Sequence, residues 1–339
     1  MKAFRNYLVT SILLLGLLSF FIPIRYQTSY PAAIGPKFDS RVRTTYTDML
    51  NEYQPQVLLF GDSMLEPAVD ERAVAEALDK KTALVSLPGT ASTIWYLMLK
   101  NNIVLAEHKP QYLVLFFRDA MMTVPGYRVT GRYFEQIDEF ASPEDTLLIQ
   151  RAYIDQMTPV EKFMEAYVPL YSARWEIRQS IDYHIRYTLG RLLLGCDPAC
   201  MDYAMEAVFE ANNLDVTFLS EAIASSDEYF YTPERLDFQA QVEKSFLPEV
   251  IRLCRENGIQ LILVRMPILS FEEPGTQPEG LDAYVQDLAV YLQESDVPFL
   301  DFDNEEFTGD YFTDSLHLNE RGKTIFTQKL VDVLLAEIE

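Results

Sequence analysis

Five short apolar segments alternate with helical segments along most of the chain, and this alternation is the strongest constraint on its fold. Each segment is nearly continuous in apolar side chains, the pattern of a β-strand that is covered on both faces. The predicted strands are Gln56–Phe60, Ala83–Leu87, Tyr112–Phe117, Leu261–Val264 and Pro298–Asp301.

Helical patterns occur between these strands and after the last one. The predicted helices are Val69–Leu78, Thr93–Ala106, Phe238–Glu256, Leu281–Gln293 and Glu320–Ile338. Strands that alternate with helices form a mainly parallel sheet with helices on both faces. We therefore predict an α/β fold, in which a ligand lies at the carboxyl ends of the strands.

The longest interruption of this pattern lies between the third and fourth predicted strands. Residues 120–236 have a helical pattern, and we predict that they form an insertion within a body spanning residues 52–339. Within it, the segment Tyr171–Leu194 gathers arginines in an otherwise acidic chain. These are Arg174, Arg178, Arg186 and Arg191. The segment is either a helix with a solvated basic face or a docking surface for a membrane partner, lipid headgroups or an anionic glycan.

The N-terminal segment has the length and composition of a membrane span. No charged side chain occurs between Asn6 and Ile24, and most residues between them are apolar. We predict a membrane anchor over residues 1–25 and a linker over residues 26–51. The alternative, a cleaved signal peptide, has a poor cleavage site because Pro31 occupies the −3 position. The short cationic N-terminus favours a body on the extracytoplasmic side.

Charge excludes one class of partner. The 339 residues include 28 Lys plus Arg against 51 Asp plus Glu, a formal net charge of −23. A field of this sign repels phosphate backbones, so we predict that the chain does not bind nucleic acid.

Cysteine and histidine usage argues against a metal centre. Three cysteines are too few for a disulfide scaffold or a Cys-rich zinc module. Cys196 and Cys200 could close a small loop in an oxidising compartment, whereas Cys254 is expected to be a buried apolar residue. No His or Cys pair has ligand spacing, and the chain has no phosphate loop or dinucleotide-binding glycine pattern. We therefore predict neither a metal nor a cofactor.

Candidate chemistry follows the first and last predicted strands. Ser63, in Gly61-Asp62-Ser63, comes directly after the first strand and is either a nucleophile or an ordinary helix cap. Asp314 and His317 lie three residues apart, just before the terminal helix. His317 could accept the Ser63 proton while Asp314 orients its ring. The other two histidines, His108 and His184, are weaker candidates because one lies at a solvated helix end and the other in the insertion.

These residues carry a family resemblance. Gly61-Asp62-Ser63, Gly89 after the second strand and Asp314-x-x-His317 resemble sequence blocks of the SGNH, or GDSL-like, hydrolase superfamily. The resemblance covers about residues 56–119 and 238–339. It implies a flavodoxin-like three-layer α/β/α sandwich with Ser63 as the nucleophile, His317 as the base and Asp314 as its partner. It also implies an oxyanion hole that includes the backbone amides of Ser63 and Gly89.

The third block departs from the family pattern. The third strand ends in Phe117-Arg118-Asp119, where the superfamily has Gly-x-Asn-Asp, so the asparagine donor of the oxyanion hole is missing. Arg118 could donate in its place, or it could form a salt bridge with a neighbouring acid. Loss of one such donor costs on the order of a hundredfold or more in rate.

An N-terminal anchor joined to an SGNH-like body resembles the proteins that O-acetylate alginate and related exopolysaccharides, and those that help D-alanylate lipoteichoic acid. The resemblance implies acyl transfer to a polysaccharide acceptor through acyl-Ser63, with a membrane-bound O-acyltransferase as partner. Two other functions stay open: an esterase or lipase, and a non-catalytic envelope scaffold. The presence of Ser63, Asp314 and His317 together argues against the scaffold.

Overall fold

A computed structural model describes residues 2–35, 42–130, 133–188, 191–192, 195–201, 203, 214–269, 278–303 and 307–338. The chain divides into two compact units. The N-terminal unit comprises residues 1–37 and 153–222, and the sheet unit comprises residues 38–152 and 223–339. Residues 120–236, predicted as one insertion, are divided between the two units.

The sheet unit is built on one parallel five-stranded sheet. Its strands are β1 Val57–Gly61, β2 Thr82–Ser86, β3 Tyr112–Phe117, β4 Gln260–Arg265 and β5 Phe299–Asp301. Their spatial order is β2-β1-β3-β4-β5, and every neighbouring pair is parallel. This order confirms the predicted flavodoxin-like fold, and it reverses direction between β1 and β3, where such sheets bind ligands.

Helices account for most of the remaining described residues. The α-helices are α1 Lys2–Tyr26, α2 Thr45–Tyr53, α3 Leu65–Ala68, α4 Glu71–Leu78, α5 Ser92–Met98, α6 Phe134–Phe140, α7 Thr146–Leu148, α8 Pro159–Tyr167, α9 Pro169–Ser172, α10 Arg174–Tyr183, α11 Leu214–Phe230, α12 Phe238–Gln241, α13 Leu247–Glu256, α14 Leu281–Glu294 and α15 Glu320–Glu337. Short 3₁₀ segments cover Asp119–Met122, Val242–Lys244 and Gly309–Tyr311, and π-helical segments cover Leu99–Ile103, Ile149–Ile154 and His184–Thr188.

Apolar packing on both faces holds the sheet. On one face, side chains of β1, β3 and β4 form a buried cluster with those of α4 and α15, including Phe326 and Leu330. On the other face, Phe60 packs edge-on against Trp95 of α5. All residues of β1 and β3 are buried, which explains why these strands lack the polar alternation of a half-exposed strand.

Two predicted helices differ from the structure at their ends. Val69 is extended and Asp70 caps α4, with its side chain accepting hydrogen bonds from the amides of Arg72 and Ala73. The helix predicted over Thr93–Ala106 begins as α5 and continues through the π-helical segment Leu99–Ile103.

The prediction of one helix over Phe238–Glu256 is wrong. The segment contains α12, a 3₁₀ turn and α13, and the chain is extended at Ser245. The Ser245 hydroxyl donates to the carbonyl of Val242 (2.7 Å) and accepts from the amide of Leu247 (3.2 Å). A serine side chain that bonds neighbouring backbone groups competes with helical hydrogen bonds, and Pro248 in the first turn of α13 cannot donate one.

The N-terminal unit contains the candidate membrane span. Within Ala3–Tyr26 of α1, the most apolar stretch of 18 residues has a mean hydropathy of 2.2, and only 6% of that stretch is buried within the structure. The helix is long and apolar enough to cross a membrane or to serve as a signal anchor. After it, the amide of Ala32 donates to the carbonyl of Ala166, and the hydroxyls of Tyr30 and Ser172 lie 2.9 Å apart.

The same unit contains the arginine-rich segment and the cysteine pair. Arg174 pairs with Glu165 and lies over the Tyr171 ring, and Arg178 lies over Trp175. The Arg186 side chain and residues 193–194 fall outside the described part. Cys196 and Cys200 form a disulfide. In the sheet unit, Cys254 is free and buried in α13.

Candidate active site

The turn after β1 presents Ser63 at the carboxyl edge of the sheet. Gly61 ends the strand, and a Cβ atom there would lie 3.0 Å from the Phe116 carbonyl oxygen of β3, so glycine allows the close approach of these strands. Beyond it, the Asp62 carboxylate accepts from the Met64 amide (3.0 Å), and the Asp62 carbonyl accepts from the Ser86 hydroxyl (2.7 Å). These bonds fix the loop on both sides of Ser63.

The loop before α15 brings the second half of the site to the same edge. The Thr313 amide donates to the His317 carbonyl (2.8 Å), which closes a tight loop. Asn319 then caps α15 by accepting from the amides of Arg321 and Gly322, each at 3.0 Å. His317 therefore lies on a short loop that is fixed at both ends.

Ser63, His317 and Asp314 form a continuous chain of close contacts. The Ser63 Oγ atom lies 3.1 Å from His317 Nε2, and His317 Nδ1 lies 2.8 Å from Asp314 Oδ2. Helix α3 begins two residues after Ser63, with Met64 at its N-cap position, so the cap role that the sequence left open for Ser63 is not the one observed. The structure thus brings together three residues from loops about 250 positions apart in sequence.

Hydrogen bonds keep Asp314 ionised. Partial burial acts to raise the pKa of this carboxyl group, but donors at His317 Nδ1 and at the amides of Leu316 and His317 outweigh it and hold the pKa below its usual value. An ionised carboxylate on Nδ1 retains the ring proton there, which leaves Nε2 free to accept the Ser63 proton. The His317 side chain is 17% exposed, so a substrate can reach it.

Gly89 lies in the loop after β2 and has a left-handed backbone, with φ of +71°. The guanidinium of Arg128 lies against it. Its Nη1 atom donates to the Gly89 carbonyl (3.3 Å), and a Cβ atom on residue 89 would lie 2.5 Å from Nη1. The left-handed backbone therefore favours glycine, whereas the Arg128 side chain could shift to relieve the contact.

Arg118, the other predicted oxyanion donor, is engaged with neighbouring oxygen atoms. Its Nη1 atom lies 2.7 Å from Asp227, 3.4 Å from Asp119 and 3.3 Å from the Tyr231 hydroxyl. Its side chain is only 3% exposed and lies over the Phe230 ring. The sequence left two roles open for Arg118, an oxyanion donor or a salt bridge, and the observed contacts with Asp119 and Asp227 are salt bridges.

Arg118 belongs to a larger cluster that the sequence analysis missed. We call it the buried ion network: Arg118, Asp119, Asp227, Arg265, Asp301 and Asp303. Arg265, at the end of β4, contacts Asp301 at 3.1 Å, Asp303 at 2.5 Å and Asp119 at 3.6 Å. The signal available in the sequence was a charged residue at or just after each of β3, β4 and β5.

The buried ion network also supports the loop that carries Asp314. The Asp303 carboxylate accepts from the Ile268 amide at 3.4 Å, and the next amide, that of Leu269, donates to the Ser315 carbonyl at 2.9 Å. Burial raises the pKa of Asp303 to about 6, with Asp119 adding to the increase and Arg265 opposing it.

A polar groove of about 830 Å³ runs along β2, where Thr82, Leu84 and Ser86 line it. Of these residues, Ser86 also bonds to the Asp62 carbonyl, as described above. Its other polar lining residues include Glu66, Asp70, Arg72 and Lys323.

The two remaining histidines have separate surroundings. His108 is exposed, and its Nε2 lies 3.4 Å from the Gln54 side chain. His184, in the N-terminal unit, contacts the Ser180 carbonyl at 2.6 Å. Within the described ranges, no group of three or more His, Cys, Asp or Glu side chains is placed to hold a metal ion.

Among known proteins, solved structures resemble this chain, whereas sequence comparisons find no match. No family model matches the chain, and no curated protein matches it. A variant of a Geobacillus acetyl-xylooligosaccharide esterase is 11% identical, with a TM-score of 0.40 over 84% of this chain and 95% of its own. A GDSL-like lipase from Bacteroides thetaiotaomicron is 12% identical, with a TM-score of 0.36 over 87% of this chain and 99% of its own. At these values, the assignment of chemistry depends on the side chains described above.

Proposed function

We propose that this chain is a serine-dependent O-acyltransferase that forms an acyl-Ser63 intermediate and passes the acyl group to a polysaccharide hydroxyl. The observation that carries the proposal is the Ser63–His317–Asp314 chain of contacts, with separations of 3.1 and 2.8 Å, at the carboxyl edge of a parallel sheet. This arrangement activates a hydroxyl group for attack on an ester or thioester carbonyl.

The proposed first half-reaction acylates Ser63. The Ser63 hydroxyl attacks the acyl carbonyl of the donor while its proton moves to His317 Nε2, and Asp314 stabilises the resulting imidazolium. The tetrahedral intermediate then collapses, and the leaving group departs with the proton from Nε2. In the second half-reaction, an acceptor hydroxyl loses its proton to the same nitrogen and attacks the carbonyl of acyl-Ser63. The tetrahedral intermediate then collapses, and the Ser63 oxygen departs with the proton from Nε2.

The acceptor is proposed to be a cell-envelope or extracellular polysaccharide. The polar groove along β2 supports this choice, because it offers hydroxyl-binding side chains and its residue Ser86 donates to the carbonyl of Asp62, the neighbour of Ser63. A soluble carbohydrate esterase would use the same Ser63–His317–Asp314 triad, so the acceptor that reaches acyl-Ser63, water or a sugar hydroxyl, distinguishes the two functions.

Location and partner are part of the proposal. The apolar helix α1 is long enough to anchor the chain, and the Cys196–Cys200 disulfide suits an oxidising compartment, so we place the body on the extracytoplasmic side. A membrane-bound O-acyltransferase would then supply the acyl group from across the membrane.

The experiment that tests this function measures how acyl-Ser63 is discharged. The full chain in detergent is incubated with nitrophenyl acetate, with and without a mixture of oligosaccharides, and both released chromophore and acetylated sugar are followed. A transferase gives Ser63-dependent acetylation of the sugar and slow turnover in water alone. Rapid turnover that sugar does not change would identify an esterase. Equal signals from wild type and Ser63→Ala would contradict both enzymatic functions.

A further inference from the structure

Two arginines, Arg118 and Arg128, act electrostatically on Asp62, the residue before Ser63, and they differ in their counter-ions. Arg118 is buried and paired with Asp227 and Asp119. Arg128 is partly exposed and, among the residues that the structure describes, has no carboxylate oxygen within 4.0 Å of its guanidinium. A cation without a carboxylate partner can still bind a negative charge that develops on a substrate.

Neutral groups hold Arg128 in place. Its Nη1 atom donates to the Gly89 carbonyl at 3.3 Å, and its Nη2 atom donates to the Ser226 hydroxyl at 3.4 Å. The guanidinium also lies over the rings of Tyr127 and Tyr133, at 4.9 and 5.5 Å from their centres. These contacts use two of its five N–H groups, so Nη1 keeps a second hydrogen for another acceptor.

Two observations connect Arg128 with the candidate site. Its guanidinium contacts the residue assigned to the oxyanion hole, Gly89. Burial raises the pKa of Asp62, the neighbour of Ser63, and the charges of Arg118, His317 and Arg128 each act to lower it. The guanidinium is therefore close enough to act electrostatically on the loop that carries the nucleophile.

From these contacts we propose that Arg128 supplies the third oxyanion contact, the one expected from asparagine in the third sequence block, and that Arg118 does not. The proposal rests on the proposed function. As Ser63 Oγ bonds to the acyl carbon, the carbonyl π electrons move to the oxygen and the serine proton moves to His317 Nε2. An Nη1 hydrogen of Arg128 then donates to that oxygen, together with the amides of Ser63 and Gly89. When the carbonyl re-forms, the leaving group takes the proton from His317.

The test compares Arg128→Gln and Arg128→Lys with Arg252→Gln, a matched variant of an exposed arginine on α13. The full chain in detergent is acylated with nitrophenyl acetate, and kcat and KM are measured separately. We expect Arg128→Gln to lower kcat about a hundredfold with little change in KM, because an oxyanion contact forms only in the transition state. Arg128→Lys should recover part of the loss, and Arg252→Gln should match wild type.

Phenylboronic acid provides a readout that a merely structural role would not change. It adds to a nucleophilic serine as a tetrahedral anion, so Arg128→Gln should weaken its inhibition by a factor similar to the loss in kcat, with the melting temperature unchanged. A folded Arg128→Gln protein with the wild-type kcat would overturn the proposed role of Arg128 but leave the proposed function intact. Equal losses in the Lys and Gln variants, accompanied by a lower melting temperature, would also overturn it. Acylation that is the same in wild type and Ser63→Ala would overturn the proposed function, and this proposal with it.

Discussion

The triad and the buried ion network lie at the same edge of one sheet, but they use their polar groups differently. Asp314 and His317 are 23% and 17% exposed, and His317 Nε2 contacts the Ser63 hydroxyl. In the network, Arg118 and Arg265 are nearly inaccessible, and each contacts at least two carboxylates. A group that must exchange protons with a substrate needs access and a replaceable partner. A buried charge instead needs full compensation.

This contrast predicts that substitutions in the triad reduce the rate, whereas substitutions in the network reduce stability. The largest effect is expected for His317→Gln. Without a base for Ser63, acylation by nitrophenyl acetate should fall on the order of a thousandfold or more, with the free energy of unfolding little changed.

His108→Gln is the matched control for that prediction, because His108 is exposed and contacts Gln54 rather than Ser63. It should acylate at the wild-type rate. If a folded His317→Gln protein were acylated within tenfold of the wild-type rate, the predicted contrast between the triad, which sets the rate, and the buried ion network, which sets stability, would be wrong.

The second effect concerns stability. Arg265→Met removes the buried cation that Asp119 and Asp303 share, although Asp119 keeps its contact with Arg118, and removal of one partner from a buried ion pair costs about 3–5 kcal/mol. We expect a loss of that size in the free energy of unfolding from urea titration. The acylation rate per folded molecule should fall far less than in His317→Gln. A rate loss without a stability loss would assign Arg265 to the catalytic machinery instead.

The third effect is a pH dependence of opposite sign in the two clusters. Burial raises the folded-state pKa of Asp303 from 3.8 to about 6, so the folded state binds more protons than the unfolded state between these values. The free energy of unfolding should therefore fall as pH rises from about 4 to about 6, with a contribution on the order of 2–3 kcal/mol. Asp303→Asn should flatten the curve in this window.

Asp314 should behave in the reverse way. Its folded-state pKa lies below 3.8, so its stabilisation is present above that value and is lost as the pH falls through the lowered pKa. Unfolding curves of Asp314→Asn should therefore differ from wild type mainly above pH 3.8. If Asp303→Asn leaves the slope between about pH 4 and 6 unchanged, the burial of Asp303 does not control it.

The smallest effect is expected for an ion pair on the surface. Arg252 on α13 is 51% exposed and contacts Glu249 and Glu256. Because solvent screens such pairs, Arg252→Met should change the free energy of unfolding by about 1 kcal/mol or less. A loss as large as that of Arg265→Met would show that burial does not distinguish these ion pairs.

Strand positions were predictable from the sequence because burial on both faces leaves a local signature. Tyr112–Phe117 is entirely apolar or aromatic and forms β3 over the same residues. The reversal of strand order between β1 and β3 came instead from the resemblance to the superfamily. The break at Ser245 was not predicted, because it depends on which backbone groups the side chain meets rather than on the periodicity of apolar residues.

The candidate site was predictable only in part, for a related reason. Ser63, Asp314 and His317 follow strand ends and belong to short motifs, which a sequence displays directly. The partners of Arg118 come from position 119 and from positions 227 and 231, more than a hundred residues later. Arg128 lies in a loop without periodicity, and its connection to the site depends on its contact with Gly89, 39 positions earlier in the chain. Such long-range pairings leave no local pattern in the chain.

Covalent acylation of Ser63 is the central claim, and intact-protein mass spectrometry with peptide mapping tests it most directly. Wild type and Ser63→Ala are each treated with nitrophenyl acetate and quenched in acid at short times. We predict a mass increase of one acetyl group in wild type, located on the peptide that contains Ser63, and none in the variant. An adduct of equal yield in Ser63→Ala, or one located on another residue, would contradict the account.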